Sequence, residues 1–232
     1  MAEIKAILWD IDGTLLSFKK AEYSAVKSCF SQLSMGSCSD EMVSRYSEIN
    51  DGYWRRLERG ELTRQQVLLG RFRDFFAIYG LDTGLAEEFN ALYQKSLGDY
   101  IFFNDGALEA VERLKGQVAQ YAVTNGTKIA QERKLEKSGL NTLLDGVFIS
   151  EDVGVEKPML GFFQAVFEQI DAYEKDEILI VGDSLTSDMQ GGVNAGIRTC
   201  WYNPDGRENT SGLCLDYEIQ HIDVIFKILE GF

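Results

Sequence analysis

Residues 7–15 read ILWDIDGTL, a short apolar run that ends in two aspartates. Residues 6–9 are all apolar, which is typical of a buried strand. Side chains two residues apart share a face of a strand, and Gly13 lets the chain turn, so Asp10 and Asp12 converge just beyond the strand end. Adjacent carboxylates repel unless a cation or shared proton separates them, which predicts a divalent metal, most naturally Mg²⁺. Taken alone, the stretch also fits a strand followed by a solvated turn.

Length and composition are those of a soluble globular protein. The 232 residues suffice for one large domain, or for a core with a small second domain. Hydrophobic residues make up 45% of the chain, yet no apolar run is long enough to span a bilayer. The first residues, MAEIK, lack the features of a signal peptide. We therefore expect a cytoplasmic location, where the four scattered cysteines stay reduced.

The charge of the chain restricts its partners. The formal net charge is −14 at pH 7, and so acidic a surface repels nucleic-acid polymers and anionic membranes. A small phosphorylated substrate is still compatible if a metal ion and a few cations neutralise its site. His221 is the only histidine, and its place near the C-terminus favours a surface or capping role. Acid–base chemistry is therefore expected from carboxylates or lysine.

Helical periodicity dominates residues 17–98. Apolar residues at helical spacing predict four helices, and no alternation typical of strands interrupts them. The third helix opens with a capping box formed by Thr63 and Gln66, and it ends at Gly80. The four predicted ranges are 21–33, 39–57, 63–80 and 85–97.

From residue 104 onward, strands and helices alternate. Alternation of this kind predicts a parallel sheet with right-handed crossovers, to which the strand at 6–9 also belongs. The fold class is therefore α/β, with a Rossmann-like parallel-sheet core of residues 1–15 and 103–232 and a small helical cap inserted at 16–102. The further strands are predicted at 120–123, 147–149, 178–181 and 199–202, and the helices at 107–114, 129–138, 158–167 and 189–195.

Four of the predicted strands lead into polar residues that suit phosphate chemistry. Asp10 and Asp12 follow the first, TNG at 124–126 follows the second, EKP at 156–158 follows the third, and GDSLTSD at 182–188 follows the fourth. In a parallel sheet these ends share one edge, which is where open α/β folds bind ligands. Each motif alone also fits a turn, a solvated lysine or a helix cap. Their order and their placement at four strand ends favour one shared site.

The four motifs resemble those of the haloacid dehalogenase-like hydrolase superfamily. The resemblance covers essentially the whole chain, with the helical block in the position of the family's small C1-type cap. It implies a Mg²⁺-dependent phosphomonoester hydrolase that acts through an aspartyl-phosphate intermediate. The founding dehalogenases lack the second aspartate and need no metal, so Asp12 favours phosphatase chemistry over cleavage of a carbon–halogen bond.

The resemblance also implies roles for single residues in binding and chemistry. Asp10 is the implied nucleophile and Asp12 the implied general acid–base. Thr124 is expected to bind the phosphoryl group, helped by the backbone N–H groups of Asn125 and Gly126.

A lysine and a metal complete the implied site. Lys157 is expected to hold Asp10 and the charge of the phosphoryl group. The implied Mg²⁺ ligands are the side chains of Asp10 and Asp183 and the backbone carbonyl of Asp12, with Asp188 bound directly or through water.

A finer resemblance points to a substrate class. The stretches at 57–80, 123–140, 148–158 and 182–204 look like the branch of bacterial pyrimidine 5′-nucleotidases, which implies substrates such as UMP, dUMP and dTMP. Gly13 departs from that branch, which often carries a second aspartate there.

Three alternatives stay open on the sequence alone. Two lie in the same superfamily: a sugar-phosphate phosphatase or phosphoglucomutase, and a phosphoglycolate phosphatase. The third is a phosphorylatable signalling domain, against which the inserted helical block argues.

The inner face of the cap is expected to select the substrate. An aromatic ring there can stack on a base, and a cation can offset phosphate charge, although each candidate also fits a packing or solvated role. We expect a monomer or a homodimer. The candidate contacts are Phe18, Lys19, Tyr23, Trp54, Arg55 and Arg56.

Overall fold

Residues 2–231, which the computed structural model describes, are organised around one six-stranded sheet. All neighbouring strands run parallel, in the order β3-β2-β1-β4-β5-β6. The predicted α/β fold with a parallel sheet is therefore confirmed. The strands are β1 (Ala6–Trp9), β2 (Ala119–Thr124), β3 (Gly146–Ile149), β4 (Ile178–Gly182), β5 (Arg198–Tyr202) and β6 (Tyr217–Ile219).

Strand β1 is apolar throughout because both of its faces are buried. Ala6 and Leu8 pack into the hydrophobic cluster on one face of the sheet, and Ile7 and Trp9 pack into the cluster on the other. A strand buried on both faces reads as a continuous apolar run. Since β1 lies between β2 and β4, the aspartates that follow it emerge near the middle of the carboxyl edge.

The helices lie close to the predicted ranges. The α-helices of the described residues are α1 (Phe18–Gln32), α2 (Asp40–Glu58), α3 (Arg64–Ile78), α4 (Ala86–Asp99), α5 (Ala107–Leu114), α6 (Lys128–Ser138), α7 (Ser150–Val153), α8 (Leu160–Gln169), α9 (Gln190–Ala195) and α10 (Ile225–Leu229). The capping box is confirmed, since the Thr63 side chain accepts from the Gln66 backbone while the Gln66 side chain bonds back to the Thr63 backbone. None of the helices within residues 2–231 is long and apolar enough to cross a membrane.

The structure corrects the prediction at three places. Pro158 does not open a helix: α8 begins at Leu160, and Pro158 lies in the turn before it. The predicted helix at 189–195 begins instead as a π-helical turn over Leu185–Met189. Strand β6 and the short helix α7 were not predicted, because three or four residues are too few to establish a periodic pattern.

Helices α1 to α4 enclose their own aromatic core. The ring of Phe72 stacks on Tyr46 at 5.1 Å between centroids, and it lies 4.9 Å from Phe89 and 5.2 Å from Tyr93. All four side chains are fully buried. Interlocked aromatic pairs of this kind stabilise packing beyond simple area burial.

The helical block is packed against the sheet through α4 and α6. A Cβ on Gly98 of α4 would lie 2.7 Å from the Cβ of Arg133, so the two helices approach closely there. At the edge of this contact Lys137 of α6 pairs with Asp99 at 2.7 Å. Helix α6 is therefore fixed between the sheet and the helical block.

Candidate active site

The carboxyl edge of the sheet brings the four motifs together. Asp10 follows β1 directly, Thr124 ends β2, and Asp183 follows β4. Lys157 arrives from the loop between β3 and α8. Asp10, Thr124 and Lys157 are buried although each is polar. Polar groups removed from water need partners, so this edge is built around their mutual contacts.

Lys157 is at the centre of these contacts. Its ammonium donates to Asp10 Oδ1 at 2.8 Å, to Asp188 Oδ1 at 2.6 Å and to the carbonyl of Val123 at 2.7 Å. An ammonium has three donors, so all of them are used. Burial acts to lower the pKa of Lys157, but the charges of Asp10 and Asp188 outweigh it and raise the pKa above its ordinary value. Lys157 is therefore a permanent cation that orients two carboxylates.

Three carboxylates converge on one point beside this lysine. One oxygen of each of Asp10, Asp183 and Asp188 lies within 4.8 Å of the other two. Burial raises the pKa of Asp10 well above its usual range, and the charge of Asp188 adds to this while Lys157 opposes it. Burial, followed by the charge of Asp188, raises the pKa of Asp183 to about 7. The cluster is thus short of positive charge.

Two glycines make room for this cluster. A Cβ on Gly13 would lie 2.6 Å from Asp183 Oδ1, and one on Gly182 would lie 2.3 Å from the carboxyl carbon of Asp188. Gly13 also has φ +102°, a conformation that L side chains rarely adopt. A close group of carboxylate oxygens with excess negative charge fits the ligand preference of Mg²⁺.

The TNG loop is held more tightly than the sequence suggested. The side-chain amide of Asn125 exchanges two hydrogen bonds with the backbone of Lys157, at 2.8 and 2.9 Å. The backbone N–H of Gly126 donates to Thr124 Oγ1 at 3.0 Å. The hydroxyl hydrogen of Thr124 thus remains available to a phosphoryl oxygen, whereas the Asn125 side chain fastens the loop to Lys157.

The side chain of Asp12 is not part of the cluster formed by Asp10, Asp183 and Asp188. Its Oδ2 accepts from Gln131 Nε2 at 2.6 Å, and its Oδ1 forms an ion pair with Lys134. Both partners lie on α6. Both carboxylate oxygens of Asp12 are therefore engaged by side chains of α6.

Two side chains of the helical block reach the site, and neither was singled out from the sequence. Arg64, the first residue of α3, donates to the carbonyl of Asn125 at 3.0 Å, to Ser150 Oγ at 2.6 Å and to Glu156 at 3.2 Å. Glu58, the last residue of α2, accepts from Thr186 Oγ1 at 2.7 Å. Burial raises the pKa of Glu58, although its bond to Thr186 opposes the shift.

The residues predicted to contact substrate from the cap differ in their surroundings. Tyr23 and Lys19 are engaged with the surface carboxylates of Asp40 and Asp51, at 2.6 and 2.9 Å. The ring of Phe18 is half-buried, 5.5 Å from Lys134 Nζ. Trp54 is also half-buried, its ring 6.0 Å from the guanidinium of Arg64. Arg55 and Arg56 are exposed, which favours their solvated role.

One sequence signal could have identified Gln131 and Lys134. The face that α6 buries consists of Ala130, Gln131, Lys134 and Leu135. Two polar residues within the buried stripe of an amphipathic helix require buried partners, and carboxylates at the neighbouring strand end are the nearest candidates. Arg64 gave no such signal, because a residue at the start of a helix is expected to face solvent.

An aspartate held by a buried lysine beside further carboxylates, at the carboxyl edge of a parallel sheet, is typical of a phosphatase with an α/β fold. The chain belongs to the haloacid dehalogenase-like hydrolase family, whose model matches residues 7–202. Recognition from the four motifs is therefore confirmed.

Similar proteins extend over nearly the full chain. The Bacillus subtilis protein YfnB, named as a HAD-hydrolase, is 37% identical over 231 residues, which are 99% of this chain and 97% of the relative. The pyrimidine 5′-nucleotidase PynA of Streptococcus pneumoniae is 33% identical, over 97% of this chain and 95% of its own. The pyrimidine 5′-nucleotidase YjjG of Escherichia coli is 27% identical, over 96% of each chain.

A solved structure agrees closely with the fold. The crystal structure of Bacillus subtilis YfnB bound to magnesium superimposes with a TM-score of 0.92 at 35% identity, covering 98% of this chain and 99% of that one. That structure is described as revealing interdomain movement.

Proposed function

We propose that this protein is a Mg²⁺-dependent phosphomonoesterase that transfers the phosphoryl group to Asp10 and then to water. The observation that carries the proposal is the group formed by Asp10, Lys157 and Thr124, in which a buried carboxylate is oriented by a buried cation next to a free hydroxyl hydrogen. The nucleophile, its charge partner and a hydrogen-bond donor for the phosphoryl group are thus gathered at one edge of the sheet.

The first step forms a bond between Asp10 and phosphorus while the bond to the leaving oxygen breaks. Thr14 donates to Asp10 Oδ2 at 3.2 Å and Lys157 donates to Oδ1, so both oxygens of the nucleophile are held in place. Asp12 supplies the proton that the leaving oxygen takes up. Thr124 donates to a non-bridging phosphoryl oxygen, and the charge of Lys157 offsets the negative charge that accumulates.

The second step returns Asp10 to its carboxylate form. Water attacks phosphorus, Asp12 accepts the proton of the water, and the bond between Asp10 and phosphorus breaks to release phosphate. Asp10, Asp183 and Asp188, with the backbone carbonyl of Asp12, would hold Mg²⁺ at the carboxylate cluster. The bound cation would shield Asp10 from the anionic phosphoryl group and stabilise charge in the transition state.

We further propose that residues 16–102 act as a cap that closes over this site. Arg64 and Glu58 support the proposal, because they connect α3 and α2 to the loops that carry Asn125 and Thr186. Closure excludes water while the phosphoryl group is transferred. The interdomain movement described for the magnesium-bound relative is compatible with such a cap.

The proposed substrates are pyrimidine nucleoside monophosphates. Support comes from the two pyrimidine 5′-nucleotidases that match this chain over more than nine-tenths of its length. The half-buried ring of Trp54, near the guanidinium of Arg64, offers an aromatic surface on the helical block for a base.

Phosphate release from a panel of esters tests the proposal. The panel holds UMP, dUMP, dTMP, purine monophosphates, glucose phosphates and phosphoglycolate, each assayed with Mg²⁺ and with EDTA. Metal-dependent release that favours pyrimidine monophosphates is expected. Preference for sugar phosphates would contradict the nucleotidase assignment, and release that EDTA leaves unchanged would contradict the metal.

A substitution tests the nucleophile. Asp10→Asn keeps an oxygen for the bond from Lys157, so the fold should remain while hydrolysis is abolished. Exposed Asp171 provides the matched control, since Asp171→Asn should retain full activity. Turnover by the Asp10→Asn protein would refute the assignment.

A further inference from the structure

Helix α6 presents two buried polar side chains to Asp12. Gln131 Nε2 donates to one carboxylate oxygen at 2.6 Å, and Lys134 pairs with the other. Gln131 is fully buried and Lys134 is 1% exposed. The two residues are three apart on one helix and therefore project from the same face. Each oxygen of Asp12 is thus fixed by a separate donor.

The position of the Gln131 side chain explains why residue 126 of the TNG motif is a glycine. A Cβ at Gly126 would lie 1.9 Å from Gln131 Nε2, which is impossible without displacing that amide. The bond to Asp12 consequently depends on position 126 having no side chain. Gln131 Oε1 is buried and has no partner among the described residues, so the amide is not stabilised by a second bond of its own.

Burial of Lys134 has a cost that its ion pair with Asp12 offsets. A buried ammonium is strongly unfavourable unless it is paired. Within residues 2–231 Asp12 is the one carboxylate that pairs with Lys134, and the ring of Phe18 at 5.5 Å is the other favourable neighbour of its charge. A helix that merely packs against the sheet would carry an apolar residue at this position.

We propose that Gln131 and Lys134 are positioning residues that set the orientation of the Asp12 carboxylate for both proton transfers. The inference rests on the proposed function of Asp12 as general acid–base. A carboxylate oxygen has two lone pairs, so each bond from α6 leaves one free to give or accept the proton. The two bonds therefore hold the group without blocking it, and α6 is itself anchored to α4 through Thr127 and Gln94 at 2.6 Å.

The kinetic test separates proton transfer from phosphoryl transfer. Lys134→Met and Gln131→Leu replace the donors with apolar side chains of similar size. For a nucleoside monophosphate, whose leaving oxygen needs a proton, kcat should fall about 10²-fold with KM nearly unchanged. Lys137→Met, on an exposed position of the same helix, is the matched control and should behave as wild type.

An aryl phosphate gives the distinguishing signature. p-Nitrophenolate leaves without a proton, so phosphorylation of Asp10 should stay fast in both variants. Attack of water still needs Asp12 as base, so hydrolysis of the aspartyl-phosphate should become slow. A burst of about one p-nitrophenolate per enzyme is therefore expected before a slow steady state. A variant with damaged folding would instead show a burst below one and an equal loss with both substrates.

Crystal structures decide the orientation independently of activity. In both variants the Asp12 carboxylate should leave its wild-type rotamer, while Asp10 and Lys157 stay in place. An unchanged rotamer, or kcat equal to wild type with no burst, overturns the inference. If wild type hydrolyses no ester at all, the proposed function fails, and the rotamer of Asp12 in the variant crystals still decides whether α6 positions it.

Discussion

Substitution Asp183→Asn should stabilise the metal-free protein, although it removes a residue of the proposed metal site. Asp183 lies in the cluster with Asp10 and Asp188, where burial and the charge of Asp188 raise its pKa to about 7. In the unfolded chain the same carboxyl has a pKa near its ordinary value of 3.8. Asparagine has nearly the same shape and no charge, so it also fits beside Gly13.

The magnitude and the pH range follow from this difference in pKa. A carboxyl whose pKa is raised in the folded state binds its proton more tightly there, so folding stability falls as pH rises from 3.8 to about 7. The gap is about 3 units, and each unit is worth about 1.4 kcal/mol, which gives an upper bound of about 4 kcal/mol at pH 8. At about pH 4.5 the same reasoning leaves only about 1 kcal/mol.

Thermal unfolding in EDTA measures the effect. One kcal/mol corresponds to about 2–4 °C for a chain of this size, so Asp183→Asn should raise Tm by several degrees at pH 8 and by much less at pH 4.5. Added Mg²⁺ should raise the Tm of wild type at pH 8 but hardly that of the variant, because the cation relieves the same repulsion. Exposed Asp171 again provides a control, as Asp171→Asn should leave Tm almost unchanged.

One result would refute the reasoning about this cluster. If metal-free Asp183→Asn melts at or below the wild-type temperature at pH 8, the carboxylates of Asp10, Asp183 and Asp188 are not in electrostatic conflict. A gain in Tm that is equal at both pH values would point to packing and would leave no role for ionisation.

Three further substitutions test the site and the helical block. Lys157→Met leaves two buried carboxylates without their cation, so it should abolish turnover and lower the free energy of unfolding by about 3–5 kcal/mol in urea titrations. Gly126→Ala forces Gln131 away from its position and should lower kcat strongly, whereas Gly52→Ala, with open space around its Cβ, should not. Phe72→Ala empties a fully buried aromatic site and should cost about 3–5 kcal/mol, measured by calorimetry.

Much of the fold could be predicted because its periodic elements are long or strongly patterned. The apolar run at β1 and the helical spacing in α1 to α4 both reflect which faces are buried, and burial is visible in sequence. Strand β6 and helix α7, of three and four residues, escaped prediction, as did the true start of α8 at Leu160. Over so few residues, tertiary contacts decide the conformation and leave no pattern.

In the candidate site, too, some contacts could be predicted from the sequence and others could not. The motif residues Asp10, Lys157 and Asp183 could be predicted to meet because a parallel sheet brings strand ends to one edge. The contacts of Arg64 and Glu58 could not, because they depend on how the helical block is seated against the core. Sequence spacing contains no information about that orientation.

The motif glycines show how the separate motifs constrain one another. Gly13 of the first motif makes room for Asp183 of the last, and Gly126 of the second makes room for Gln131, which holds Asp12. A glycine read from sequence alone explains only a turn at its own position. In the folded protein, the side chains of Asp183 and Gln131 occupy the space that a Cβ at Gly13 or Gly126 would need. Substitution of either glycine by alanine should therefore displace a side chain from another part of the chain. Such coupling makes the site one packed unit, in which the setting of Asp12 and of the carboxylate cluster can each be lost by a substitution at a glycine that has no side chain of its own.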